Sequence, residues 1–599
     1  MFRRRVLCLL SCLLGLPVAA DVFRVQPGED VQAVLDRAKP GDTVRLAPGI
    51  HRRRVTMGRS GEFGKPIVLE GEPGAILDGS EPTELKWEPA ADIAPGVWRC
   101  PLPFLPYLVT VEGKVITMLQ ESRVDPARTK DPEWHWPRIF REGIGRSKWD
   151  GVRVLGMYRQ KEREFLLKFG DLRDPRGLAM TVAPKEACVH VIGADRCVVR
   201  GLAMRNAAYG VLVENSIGTV VEDCAIGPVD YCVWLDSGSY KCTIRFNEMF
   251  QHPYAASSLW EAGSWDNWKA HKTGGFYDRY GVQIHRTLGW HEVHDNSIHH
   301  IWGGIEDRGG PGENVGLNIH HNRIHCINDD GLEPNGAEEH CRWHDNIVSE
   351  CICGFRIKQI KVGPLYAYRN IFFHNKEDYR NYGEVELPPA WVYVYHNTCT
   401  SRRAIQSNKV FGIGTPNYHF FNNLFHCNGW WGNTGNSVEP NWSGDFNVYS
   451  QQEAGRGWDE DQARAAALGL DRNSLWTQDA PGFRDLAARD VSLSENSPAR
   501  GRGGDLRTLL GFQLPGLAEG ENPDAGALQF GEPMPVLPRR REDVAVVEAG
   551  FWPAADDLPP VPWTGPNLLP NGGFEDGLTG WNAGANCEWI EPDGFVRLT

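Results

Sequence analysis

Five segments of the chain follow the form Gly-apolar-x-apolar-x, one of them with Asp307 at the second apolar position. They are Gly210-Val211-Leu212-Val213-Glu214, Gly281-Val282-Gln283-Ile284-His285, Gly304-Ile305-Glu306-Asp307-Arg308, Gly331-Leu332-Glu333-Pro334-Asn335 and Gly354-Phe355-Arg356-Ile357-Lys358. Alternation along a strand sends the apolar pair inward and the x residues outward. The outward positions then form one column of Gln283, Glu306, Glu333 and Arg356, beside a second of His285, Arg308, Asn335 and Lys358. Stacked strands lie about 4.8 Å apart, so Glu306 and Glu333 should face solvent as crowded carboxyls, one of them pushed toward its protonated form. Asp307, Asp329 and Asp330 thicken the cluster. A protonated and an ionised carboxyl side by side can do acid–base work on a bond held between them. A single charged residue on an exposed strand is usually a solvated surface group; it is the crowding that marks a site. Glu306, Asp330 and Glu333 are the expected reacting acids, with Asp307 and Asp329 next. His285, Arg308, Arg356 and Lys358 are expected to position a substrate.

Such columns need a scaffold that repeats, and the sequence contains one. Asn296, Asn322, Asn346, Asn370, Asn397 and Asn423 follow one another at spacings of 26, 24, 24, 27 and 26 residues, each before a strand-like pair. Asn247 precedes them after a longer gap. A period this short, with β-branched and aromatic residues at alternate positions, predicts an all-β solenoid whose coils bury their apolar faces only by stacking. Asn at one fixed turn suits a left-handed backbone, and stacked Asn side chains can bond along the axis. These asparagines are therefore read as structural. Asp30 to Ala38 reads as a short amphipathic helix capping the first coil at residues 21–83, which would blunt an exposed sheet end.

The period is interrupted twice. Residues 84–190 lose it and read as an inserted β-rich subdomain within a main solenoid that resumes at 191–530. Residues 250–279 carry Trp260, Trp265 and Trp268 among charges, and these three are expected to line a substrate groove as flat apolar walls. Residues 531–566 are Pro-rich and read as a linker. Residues 567–599 resemble the opening of a carbohydrate-binding β-sandwich, too short to bury a core alone, so truncation is expected.

Bulk properties narrow the classes. Met1-Phe2-Arg3-Arg4-Arg5, the apolar run Val6 to Val18 and the small residues before Asp21 read as a signal peptide over 1–20, with a secreted, periplasmic or cell-surface destination. Loss of its three arginines takes the formal charge from −14 to −17, which disfavours nucleic acid and anionic membrane as partners. No second long apolar run follows, so no membrane insertion is expected. Of 15 cysteines, 13 remain after the leader, no CxxC occurs, and those inside strands read as small buried hydrophobes. No metal site and no cofactor are expected.

The asparagine ladder resembles the right-handed parallel β-helix of the pectin lyase-like superfamily over most of residues 21–530. Within it, the order Glu306-Asp307, Asp329-Asp330, Arg356-Ile357-Lys358 resembles the site of the polygalacturonase family. That resemblance implies Asp329 and Asp330 as acid and base, with Arg356 and Lys358 on a sugar carboxylate. The family's Asn-Thr-Asp and intervening Gly-His-Gly are absent here, so the kinship is of fold and site location. The expectation is a monomeric glycoside hydrolase acting on a polysaccharide or oligosaccharide, since two carboxyls flanking the bond suffice. The alternatives are a polysaccharide lyase, with Lys358 or His285 as base and an acid-bound calcium conceivable, or a non-catalytic carbohydrate-binding solenoid.

Overall fold

The computed structural model describes residues 20–143, 154–251, 279–358, 360–382, 390–401, 405–408, 417–428, 431–432, 443–453, 458–467, 469–518, 520–546, 587–590 and 595–598. It is a parallel β-helix. Thirteen strands, from Val22–Val25 to Ser443–Asp445, stack in register as one sheet, and a second continuous sheet of 22 strands wraps the remaining sides of the coils. One apolar column runs inside from Val25 to Leu470. It is made of the inward Val, Ile, Leu, Phe and Cys of each coil, as period-2 patterning requires. The twelve cysteines from Cys100 to Cys427 are free, and all but Cys326 are buried, in keeping with the reading of strand cysteines as small core residues.

The ladder forms as the spacing predicts. The backbone N–H of Asn296 donates to Asn322 Oδ1, that of Asn322 to Asn346 and that of Asn346 to Asn370, each at 3.0–3.1 Å. The side-chain Nδ2 of each donates to the same oxygen at 3.0 Å. The series continues through Asn397, Asn423 and Asn447, all fully buried. One detail differs from expectation. The left-handed residue is the one before each Asn: Phe246, Asp295, His321, Asp345, Arg369 and His396, with φ between 51° and 57°. The turn is made by that residue, and the amide of the Asn that follows bridges the coils.

A short helix α1 (Val31–Leu35), capped by Asp30 accepting from Ala33 N, seals the first coil with Val31 and Leu35. It is shorter than the sequence suggested. Val55–Met57 pairs directly with Ala187–Ile192, and Ile67–Gly71 with Cys197–Arg200, so the coils before and after residues 79–186 are adjacent. Between them stand a five-stranded and a three-stranded antiparallel-rich sheet with apolar clusters of their own. At the other end, residues 531–546 were expected as a linker but are pinned to the helix by charge. Arg539 makes two side-chain bonds of 2.8 Å to the buried Asp295, and Arg541 pairs with Glu222 at 2.9 Å.

Candidate active site

Six consecutive coils build one face. We number its strands β1 (Val229–Leu235), β2 (Tyr280–His285), β3 (Gly303–Arg308), β4 (Arg323–Glu333), β5 (Ile347–Lys358) and β6 (Glu377–Tyr382). Register places Trp234 beside Gln283, Gln283 beside Glu306, and Glu306 beside Glu333. Leu332 pairs with Phe355, and Arg356 pairs with Arg380. The first column read from the Gly-apolar-x-apolar-x pattern therefore forms in order, and of the second His285 stands beside Arg308. A register shift between Ile327 and Asp330 in β4 lets Asp330 fall beside Cys353.

Exposure departs from expectation. Glu306 and Glu333 are 0% and 1% exposed, and Asp329, Asp330 and Arg356 are buried as well. Their own partners cover them. Glu306 Oε1 accepts from Arg308 at 2.7 Å and from Asn335 at 3.2 Å, while its Oε2 is buried with no hydrogen-bond partner. Glu333 accepts from the Tyr280 hydroxyl at 2.7 Å and forms an ion pair with Lys358. Asp330 accepts from Arg356 at 2.6 Å. Three acids and three cations thus interlock in one layer, in which the acids and Arg356 are buried, Lys358 is partly buried and Arg308 is exposed. Alternation alone shows which side a residue takes, not what lies over it.

The same layer divides the acids by charge. Burial, with Glu333 one coil away, pushes the Glu306 carboxyl up to about 7. Burial also opposes ionisation of Glu333, but Lys358, then Arg356 and the Tyr280 hydroxyl, overcome it and hold this carboxyl down at about 2. Asp330 is pushed up to about 7 by burial and by Asp329 and Glu333, against the pull of Arg356. At neutral pH Glu333 is ionised while Glu306 sits near its midpoint. The arrangement can give a proton from one carboxyl and accept one, or attack, with its neighbour.

Asp307 is placed elsewhere. It pairs with Ile284, a core residue, and so takes the inward position that the pattern reserves for an apolar side chain. There it accepts from Asn314 and shares a hydrogen bond with Glu338, and burial pushes both carboxyls up. Trp343 Nε1 donates to Glu338 at 3.0 Å. Asp307 therefore belongs to a buried carboxyl pair behind the face and is not brought together with Glu306. His285 is partly exposed and bonded to Asp236 at 3.0 Å. Trp260, Trp265 and Trp268 lie outside the described residues. Tyr280, Glu338 and the buried pairs Arg380–Glu377 and Arg279–Asp230 escaped the sequence reading. Tyr280 directly precedes the motif Gly281, the one signal that could have drawn attention to it.

Among the described residues, one group offers mixed metal-ligating atoms: those of His325, Cys326 and Glu350 lie within 4.8 Å of one another. Arg489 holds Glu350 at 2.6 Å, and the charge of Arg323 is felt at His325, which makes the corner a poor host for a cation.

The register and this layer define the class: a parallel β-helix protein with a row of buried acids paired to cations along one face. No protein-family model and no curated protein matches the chain. Among solved structures it is similar to XylC, solved with xylose, at 14% identity and a TM-score of 0.45, over 76% of this chain and 82% of that one. It is also similar to the pectate lyase Pel9A at 12% identity and 0.36, over 86% and 98%. A further likeness is to the family 28 exopolygalacturonase of Yersinia enterocolitica at 10% and 0.22, over 77% and 79%. No helix among the described residues is long and apolar enough to cross a membrane.

Proposed function

We propose that this protein is an exported glycoside hydrolase in which Glu306 is the proton donor and Glu333 the ionised partner. The observation that carries the reading is the charge division between two carboxyls in register on adjacent strands. Bond cleavage at an acetal needs one carboxylic acid to protonate the leaving oxygen and one carboxylate to activate water or attack the sugar carbon. Asp330, raised like Glu306 and bonded to Arg356, is a second acid within the same layer. Export rests on the basic and apolar leader of residues 1–20.

The lyase alternative needs a neutral base. Lys358 is locked to Glu333 and its ammonium is stabilised, and Arg356 is held firmly charged beside Asp330. Neither is available as a proton acceptor at neutral pH, which leaves His285, partly exposed and bonded to Asp236, as the base that a lyase would use here. A polysaccharide panel tests the proposal. New reducing ends without ultraviolet absorbance are expected; absorbance from unsaturated products would mean a lyase and overturn the assignment, and the absence of either product would leave a binding solenoid.

A further inference from the structure

One column of the face holds three buried polar atoms that have no hydrogen-bond partner. They are Trp234 Nε1, Gln283 Nε2 and Glu306 Oε2, and they stand on three successive coils in direct register. A buried donor or acceptor left without a partner costs stability, so such groups are rare in a folded chain unless a ligand completes them. Here two donors lead toward the proposed proton donor, at steps of about 4.8 Å. The column continues into an aromatic shelf on the N-terminal side. Tyr209 and Tyr231 stack at 5.6 Å, Tyr231 meets Trp234 at 4.7 Å, and Trp234 meets His285 at 5.8 Å. Tyr231, Trp234 and His285 are partly exposed.

The charges along the face argue about the ligand's own charge. Arg308, Lys358, Arg356, Arg380 and Arg279 each face an acid: Glu306, Glu333, Asp330, Glu377 and Asp230. A sugar carboxylate arriving here would meet five acids whose cations are already engaged. Flat apolar rings and neutral amide and indole donors suit hydroxyls and C–H faces instead.

We infer that the substrate is an uncharged glycan chain, lying along the helix axis over Gln283 and Trp234 on the N-terminal side of Glu306. This rests on the hydrolase reading of the same site and adds to it the substrate class and the direction in which the chain lies. It also parts from the sugar-carboxylate role that the polygalacturonase resemblance implied for Arg356 and Lys358.

Binding, read apart from turnover, tests it. The Glu306→Gln full-length chain is titrated calorimetrically with xylohexaose, cellohexaose and mannohexaose, and with hexamers of galacturonate and of alginate uronates. A neutral hexamer should bind more tightly than either uronate. Adding Trp234→Ala should weaken that binding about tenfold, the scale of a lost aromatic contact. Trp234→Phe, which keeps an aromatic face but lacks the indole N–H, should recover only part of it, with melting temperature confirming the fold. Gln283→Leu, which removes a donor and keeps the shape, should weaken it as well. Tighter uronate binding, no neutral binding, or affinity unchanged in both Trp234→Ala and Gln283→Leu overturns the inference. Its failure separates from failure of the hydrolase reading. Reducing ends from a uronate polymer that depend on Glu306 would sink this inference alone, whereas Trp234-dependent binding of a neutral chain the parent never cleaves would sink only the other.

Discussion

The fold disfavours the ionised form of Glu306, and this fixes the direction of its effect on stability. Its carboxyl lies above the ordinary 4.5, at about 7, so the folded protein binds a proton there that the unfolded chain has released. Stability from this group is complete below about pH 4.5 and is lost as pH rises through 7. Glu306→Gln should therefore leave the melting temperature little changed at pH 5. At pH 8 it should raise stability by a few kcal/mol at most; thermal unfolding at the two values checks it, and equal effects would show that no proton is held. Lys358 has the opposite task. Lys358→Met leaves Glu333 buried beside Glu306 with its main cation gone, so its carboxyl should rise. An acid limb should then appear in the pH–rate profile between about pH 4 and 6, with Lys358→Arg largely restoring the parent profile. At this scale the sequence showed which residues share a column, because alternation is a property of the backbone. It could not show that Glu306 and Glu333 are buried, since that depends on Arg308, Asn335, Tyr280 and Lys358 folding over them. Nor could it show that Asp307 takes an inward slot, since an acid there is stable only because Glu338 and Asn314 wait for it.

The strand-and-turn unit is held by its asparagine more than by any single apolar contact. Asn346 Oδ1 accepts from both the backbone and the side chain of Asn322, and Asn346 Nδ2 donates to Ile319 O and Asn370 Oδ1. Asn346→Ala leaves buried partners on both neighbouring coils unsatisfied, which should cost about 2–4 kcal/mol. A lowered urea midpoint would report it; Asn346→Asp should also destabilise, because the carboxylate cannot donate to Asn370. A midpoint within error of the parent would mean that water repairs the ladder. The ladder was legible because one residue type recurs at nearly one spacing. The left-handed turn residue was not, because Phe246, Asp295, His321 and Arg369 share the conformation and nothing else. Their φ is imposed by stacked coils, so no residue type announces it.

Across the molecule, buried acids of both kinds set a pH window. Asp230, Asp330 and Asp378 lie near 7 and Asp471 near 6, all raised mainly by burial. Each loses its contribution as pH rises from about 4 toward 7. Glu333, Asp295 and Asp345 are held low by cations or histidines, and their contribution is lost as pH falls below about 4. Histidines act against a low optimum: His291 and His325 are lowered to about 3 and His321, His396 and His419 to about 4 by burial, so their contribution is lost as pH falls below about 6.5. The melting temperature should therefore peak near about pH 6–7 and fall on both sides, at about pH 4 and pH 8; a steady rise to pH 8 would contradict this. The solenoid was readable at this scale because its period is written many times over. The return of residues 531–546 was not, since Arg539 and Asp295 are distant in sequence and meet only once the coils are stacked.

The central claim is that Glu306 and Glu333 act as a pair, and the steady-state rates of two full-length variants test it most directly. On a polysaccharide that the parent cleaves to reducing ends, Glu306→Gln and Glu333→Gln should each lower kcat by about 10²–10⁴-fold while keeping a cooperative melt. Parent-like kcat in either variant would remove that residue from the chemistry, and parent-like kcat in both would show that the reacting groups lie elsewhere.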